Sequence, residues 1–472
     1  MIAFFAMIPA FALGWAVVAL LMPRGRGWTG WMLEIFLGVG MGAGIASIVE
    51  FLLTWAGIAN RISLLAIELL GLAAAGFVLM RRRKNPAPED APDNPSPRNP
   101  SWIWLLRIAA LLAVIFMVLD FSNTTASSPT GEWDASGIWN LRARYLAGGA
   151  STWRYAVSNQ MAAGMIGASH PGYPLLVSGF IARTWTILGD SRDAVPAALS
   201  LTFTLATLGV LCGALATISE TLAWLAMLVL LASETFVSQS ASQYADIPMS
   251  FFVLASVAML ALAASRNWPP GLLALAGFFA GFAGWTKNEG LPFAAAAAIV
   301  ALWRAKFAAK WMIAGAAPPI LATLALKWFL VQGTESMFPK SAAQAAKMIA
   351  DPSRWGKIIA SFAHTLWSLG FPWAHPILLL AILAFTFGFL PRRTWRWWLF
   401  AAPLALLAAD FGIYLITMAD LDWHLSTSNN RLILQAWPAL LFGYFLMLRA
   451  PAGSVEEAAK PASKGKKRRA RV

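Results

Sequence analysis

Apolar runs long enough to cross a bilayer recur thirteen times along these 472 residues, and no water-soluble fold can bury that much apolar surface. They lie at roughly 2–22, 30–54, 62–80, 102–120, 197–217, 221–236, 248–264, 271–286, 291–303, 312–331, 374–390, 398–418 and 432–449. Backbone amides in hydrocarbon must bond within their own segment, and nothing alternates as a barrel strand would, so the runs are expected to be helices. The expected fold is therefore all-α, a polytopic membrane protein. Charge agrees: only 12% of residues are Asp, Glu, Lys or Arg, about half the usual share, while 59% are hydrophobic. The first run has no basic stretch ahead of it and reads as a permanent span rather than a cleaved signal. Cys212 is the only cysteine, so the chain can form no internal disulfide and no cysteine metal cluster.

The net charge of +14 labels topology and does not point to nucleic acid. Alternate connections hold Arg24 and Arg26; Arg81, Arg82, Arg83, Lys84 and Arg98; Arg266; Arg304, Lys306 and Lys310; Arg392, Arg393 and Arg396; and Arg449 with the basic tail. Together these are 22 of the 36 Lys and Arg, which makes that face cytoplasmic and puts the N-terminus outside. The segment 174–189 is apolar enough to be a further span. Counting it would reverse every later loop and leave Arg183 near mid-membrane, so it is expected to lie as a helix along the outer interface. Residues 1–80 then form a three-helix membrane unit, 81–101 a Pro- and charge-rich cytoplasmic linker, 102–449 the main transmembrane unit, and 450–472 a basic tail that is either drawn to anionic lipid or a topology signal only.

Most of the unusual polar residues fall on the external side. In GEWDASGIWNLRARYL, Asp134 reads either as a helix N-cap or as a general base at the lip of a cavity. His170, in SHPGYPLL, stands where a helix would begin, and Asp246, in QYADIPMSFF, opens a span. WTKNEGLPF sets Lys287 and Glu289 in a tight turn where a cation needs an anionic partner: Glu289, Asp246 or a phosphate. DLDWHLSTSNNR places His424 and Arg431 just before the last span, where Arg431 could snorkel or bind a ligand. Acids, histidines and cations from separate external turns suit one reaction in particular. A leaving lipid phosphate needs cations, and an acceptor hydroxyl needs a carboxylate.

The order WDASGIWNLRARYL, SHPGYPLL, QYADIPMSFF, WTKNEGLPF, WHLSTSNNRLILQAWP resembles the bacterial GT-C glycosyltransferases. Within that group it is similar to the proteins related to lipid A aminoarabinose transferase, to Rgt-type lipopolysaccharide glycosyltransferases and to protein O-mannosyltransferases. The resemblance covers about 102–449. It implies interfacial helices in the first external loop and a multi-pass protein of the bacterial inner membrane with its active site on the periplasmic face. Asp134 is then the candidate catalytic base. His170 falls at a position associated with metal or phosphate contact, Asp246 at the second external acid, and Lys287 and Arg431 at cations near the lipid phosphate. His170 is followed by Pro171 and Gly172, whereas relatives carry two prolines. A divalent metal near Asp134 and His170 is left open, because spacing alone does not support it.

The implied function is inverting transfer of a sugar from a polyprenyl-phosphate carrier to a glycolipid, glycan or protein acceptor. The alternative is a transporter or lipid flippase, since Glu68 and Asp410 fall inside apolar runs. Arg61, on the same helical face as Glu68, and Tyr414, one turn from Asp410, offer structural partners to both acids.

Overall fold

The computed structural model describes residues 2–23, 27–84, 101–158, 170–332, 337–394 and 396–450. Most of the expected linker, 85–100, and the basic tail from 451 onward lie outside the described residues. Among those described, all regular structure is helical and there is no strand.

Three helices open the chain: α1 (Ile2–Leu21), α2 (Trp28–Trp55) and α3 (Arg61–Lys84). Then α4 (Ile103–Ser127) leads through a π-helical turn at Ala135–Trp139 into α5 (Asn140–Ala147), and α6 (Leu176–Leu188) closes the first long loop. Short connections join α7 (Ala194–Ala216), α8 (Glu220–Leu231), α9 (Glu234–Ser242), α10 (Asp246–Ser265), α11 (Pro270–Thr286), α12 (Gly290–Ala305) and α13 (Lys310–Ala325). Two amphipathic helices, α14 (Ala342–Ile349) and α15 (Pro352–Trp367), precede α16 (Pro376–Phe387), α17 (Ala401–Ile416) and α18 (Leu421–Phe445).

Eight helical stretches among the described residues are long and apolar enough to cross a membrane, or nine if α8 and α9, bent by 68°, count as one. The expected runs at 271–286 and 374–390 form α11 and α16, of 17 and 12 residues, at or below the lower limit for a span. The stretch Gly290–Leu330 is helical along its length but breaks at Lys306, where φ is +50°. Beyond the break α13 lies parallel to α11, with Gly277 against Met312 and Gly284 against Ile320, so α12 runs the other way between them. A Cβ on Gly277 would stand 1.9 Å from the Met312 carbonyl oxygen; only glycine lets the two backbones approach this closely.

The first three helices pack onto the rest. Gly14 of α1 meets Gly38 and Gly42 of α2, and the far side of α2 receives Phe251 and Phe282 against Gly40 and Gly44. The Trp285 indole donates to Ser47 Oγ at 3.0 Å. The next contact departs from the sequence expectation. With 13 residues, α6 is about 20 Å long and too short to cross. Yet it does not lie exposed on an interface, because all its residues but Thr186 and Leu188 are buried, walled by α1, α2, α3 and α5. The Arg183 guanidinium is fully buried and forks onto both oxygens of Glu68, with Nε to Oε1 at 2.8 Å, while its Nη1 donates to the Ala6 carbonyl. Glu68 is thus paired across the fold with Arg183 rather than with Arg61, as the helical spacing implied. The bidentate geometry supplies what two desolvated charges require.

The first loop after α4 and the ends of α9, α11 and α17 gather with the starts of α10, α12 and α18. Three of the cations expected on one face, among the described residues, bond near the other ends of the helices. There Arg82 donates to the Leu20 carbonyl, Arg396 reaches the Ala261 carbonyl at 3.2 Å and Arg449 reaches that of Phe389 at 2.9 Å.

Removing one partner of the buried pair should be costly. Arg183→Met or Glu68→Leu alone should destabilise the detergent-solubilised protein by about 3–5 kcal/mol. The double variant, which leaves no unpaired charge, should recover most of that loss. Thermal unfolding of the three variants checks this.

Candidate functional site

Asp246 begins α10, yet its carboxylate does not cap that helix. Oδ1 accepts from Lys287 Nζ at 3.0 Å and from Gln435 Nε2 at 2.7 Å, and Oδ2 faces Arg431 Nη1 at 3.9 Å. Lys287 sits in the α11–α12 turn, buried, with Glu289 Oε1 a further 3.3 Å away. Burial alone would make the ammonium easier to deprotonate, but the Asp246 and Glu289 charges outweigh it and hold Lys287 protonated well above its usual range. The anionic partner expected for Lys287 is therefore both carboxylates at once.

Arg431 joins this group to the first loop by pairing with Asp134 Oδ2. Its guanidinium lies over the Tyr244 ring, 4.8 Å from the centroid. The N-cap reading of Asp134 fails, because no backbone amide donates to its side chain. Among the described residues its second oxygen, Oδ1, has no partner. The backbone N–H of Asp134 donates to the Tyr244 hydroxyl at 3.2 Å, and burial together with the Asp134 and Glu132 charges pushes that phenol up to about 12. Nearby, the Glu132 N–H donates to the Ser242 carbonyl, and Asn140 and Gln243 bond side chain to side chain at 3.0 Å, so the loop docks squarely on the α9–α10 turn.

His170 is placed differently. It adopts φ +59° and stacks on Tyr173 with ring centroids 4.9 Å apart. The buried Arg142 sets this segment by donating to the carbonyls of Ala156, Pro171, Tyr173 and Pro174, the last at 3.4 Å. Lys327 adds a strut, reaching the Gly172 carbonyl at 2.9 Å and Asn288 Oδ1 at 2.7 Å. On the far side His424 Nδ1 contacts Thr417 Oγ1 at 3.1 Å, and its ring meets the Tyr414 ring edge-on. Burial, then the positive charge of Arg431, disfavours its protonated form and lowers its pKa.

One cavity of about 730 Å³ is lined by Asp134, His170, Asp246, Lys287, Glu289, His424 and Arg431, every residue the sequence singled out for the transfer reaction. Glu132 lines it too, as do Gln239, Tyr244 and Asp410. Asp410 is fully buried, and neither of its oxygens has a hydrogen-bond partner among the described residues. The expected Tyr414 partner instead bonds Ser428 Oγ at 2.7 Å. The sequence reading missed Gln435, Tyr244 and Lys327. Gln435 carried a signal, since it stands one turn after Arg431 on the same face, and so did Lys327, a charge inside an apolar run.

A resident divalent metal does not fit this donor set. Asp134 spends one oxygen on a guanidinium and His170 stacks on a tyrosine. Among the described residues no group of three or more His, Cys, Asp or Glu could hold an ion. What the arrangement offers is an Asp134 oxygen without a partner among the described residues, further acids in Glu132 and Asp410, two cations held by carboxylates, and other hydrogen-bonding groups. Comparison with protein-family models, with curated proteins and with solved structures finds no match for this chain.

A group whose pKa is lower folded than unfolded lends stability above its unfolded value, about 6.5 for His, and loses it on acidification. The wild-type melting temperature should therefore fall between pH 7.5 and 5.5 by more than that of His424→Gln. Equal slopes would contradict the assignment.

Proposed function

We propose that this chain is an inverting glycosyltransferase of the GT-C kind, with about thirteen membrane crossings, that uses a polyprenyl-phosphate sugar at the periplasmic face of the bacterial inner membrane. The observation that carries the reading is convergence. Residues from the first loop, the α9–α10 turn, the α11–α12 turn and the start of α18 share one cavity, where a carboxylate oxygen stands open beside two cations.

In this reading the acceptor hydroxyl gives its proton to Asp134 Oδ1 as its oxygen bonds the anomeric carbon. The bond between that carbon and the phosphate oxygen breaks, and the electron pair leaves with the lipid phosphate. Proton arrival at Asp134 also removes the negative charge that holds Arg431. The guanidinium is thereby released toward the phosphate as its charge develops, with Lys287 adding a fixed positive potential. His170, Glu289 and His424 line the space around the sugar and are assigned to its binding.

The transport reading draws support from one residue. Asp410 faces the cavity with both oxygens unpartnered, as a carrier of protons or cations would. Glu68 no longer supports it, since its charge is consumed by Arg183.

Purified protein given a radiolabelled polyprenyl-phosphate sugar and an envelope extract should form a labelled product, and Asp134→Asn should lower turnover by roughly 10²- to 10⁴-fold while leaving folding intact. Chelators should have no effect. Wild-type turnover by the variant would remove Asp134 as base, and proton-driven uptake into vesicles with no transfer product would replace the reading by transport.

A further inference from the structure

Beside the first cavity lies a second of similar size, about 730 Å³, between α9, α15 and the start of α18. Its lining is unlike the rest of this apolar chain. Thr235, Ser238, Ser361, Thr365, Ser368 and Ser426 present six hydroxyls, and only Ala360 and Leu425 are apolar. The buried Asn429 amide donates to Ser361 Oγ and Thr365 Oγ1, both at 2.9 Å, which orients two of those hydroxyls. Lys357 and Asp422 pair across the rim at 2.6 Å and join α15 to α18.

The two cavities meet. Ser426 and Asn430 line both, and on α9 the neighbouring residues Ser238 and Gln239 face one cavity each. Asn430 is adjacent in sequence to Arg431, and its Oδ1 accepts from the Arg431 N–H at 2.8 Å. A molecule lying in the second cavity and reaching past Asn430 thus arrives at the pair that Arg431 makes with Asp134.

We infer that this second cavity is a binding cleft for a saccharide, and that it holds the glycan part of the acceptor in the transfer proposed above, on which this assignment to an acceptor rests. Sugar hydroxyls both donate and accept, and a wall of hydroxyls with the Asn430 amide and the side chains of Glu234, His364, Lys357 and Asp422 answers both roles. An acyl chain would need an apolar wall, and a peptide would need apolar pockets for its side chains; the cleft offers neither.

The native Cys212 is buried, so a cysteine introduced at exposed Ala360 or, on the opposite wall, at Ser238 would be the reactive thiol among the described residues. Maleimide labelling of full-length Ala360→Cys and Ser238→Cys in detergent is followed with oligosaccharides released by mild acid from bacterial envelope polysaccharide. A Ser/Thr-containing peptide and phosphatidylethanolamine–phosphatidylglycerol vesicles are the comparison probes. Oligosaccharide at ten times its Kd should slow labelling about tenfold at both positions, with no effect from peptide or vesicles. Absence of protection by the oligosaccharide, or equal protection by either other probe, overturns the cleft. Protection in a protein that transfers no sugar would leave the saccharide site standing and remove the transferase reading. Transfer to a glycan without protection would do the reverse.

Discussion

Asp246 is the junction that the site hangs on. One buried carboxylate takes Lys287 from the α11–α12 turn and Gln435 from α18, and shares Arg431 with Asp134 of the first loop. Four parts of the chain, distant in sequence, are fixed relative to one another by a single anion. In a medium with little water such an arrangement must be nearly complete, because each unmatched charge costs several kcal/mol. The same scarcity that makes charges rare in this chain forces the few it has to find each other.

That network also explains how a cation-poor cavity could handle an anionic group. Lys287 and Arg431 are held by carboxylates, so neither lies idle waiting for a ligand. Arg431, however, stands between two acids, close to Asp134 and 3.9 Å from Asp246. Anything that neutralises Asp134 shifts the balance of attraction on the guanidinium. Chemistry at the open oxygen and availability of the cation are therefore coupled by geometry.

The helical class and the charged residues of the cavity were legible in the sequence because they depend on local pattern: apolar length, and polar residues at the ends of runs. Pairings were not. Arg61 shares a helical face with Glu68, and Tyr414 stands a turn from Asp410, yet Glu68 is taken by Arg183 and Tyr414 by Ser428. Periodicity reports which residues of one helix share a face, whereas a buried ion pair depends on which helices pack. The same limit applies to α6, whose composition suited an interface and whose partners, α1 to α3, could be known only from the fold.

The three N-terminal helices bear on the site through that contact. The first loop carries both Asp134 and His170, and it would be long enough to wander if held only at its ends. It is held instead by two buried arginines. Arg142 gathers four carbonyls around the His170 segment, and Arg183 locks α6 to α1 and α3. Arginine suits both tasks because its planar fork can satisfy several acceptors at once without leaving a donor stranded. The two anchors use different acceptors, since Arg142 donates to four backbone carbonyls while Arg183 takes the Glu68 carboxylate and the Ala6 carbonyl. One of the supports behind the loop, the wall that α6 presents to α5, thus depends on a carboxylate in α3, far from any chemistry.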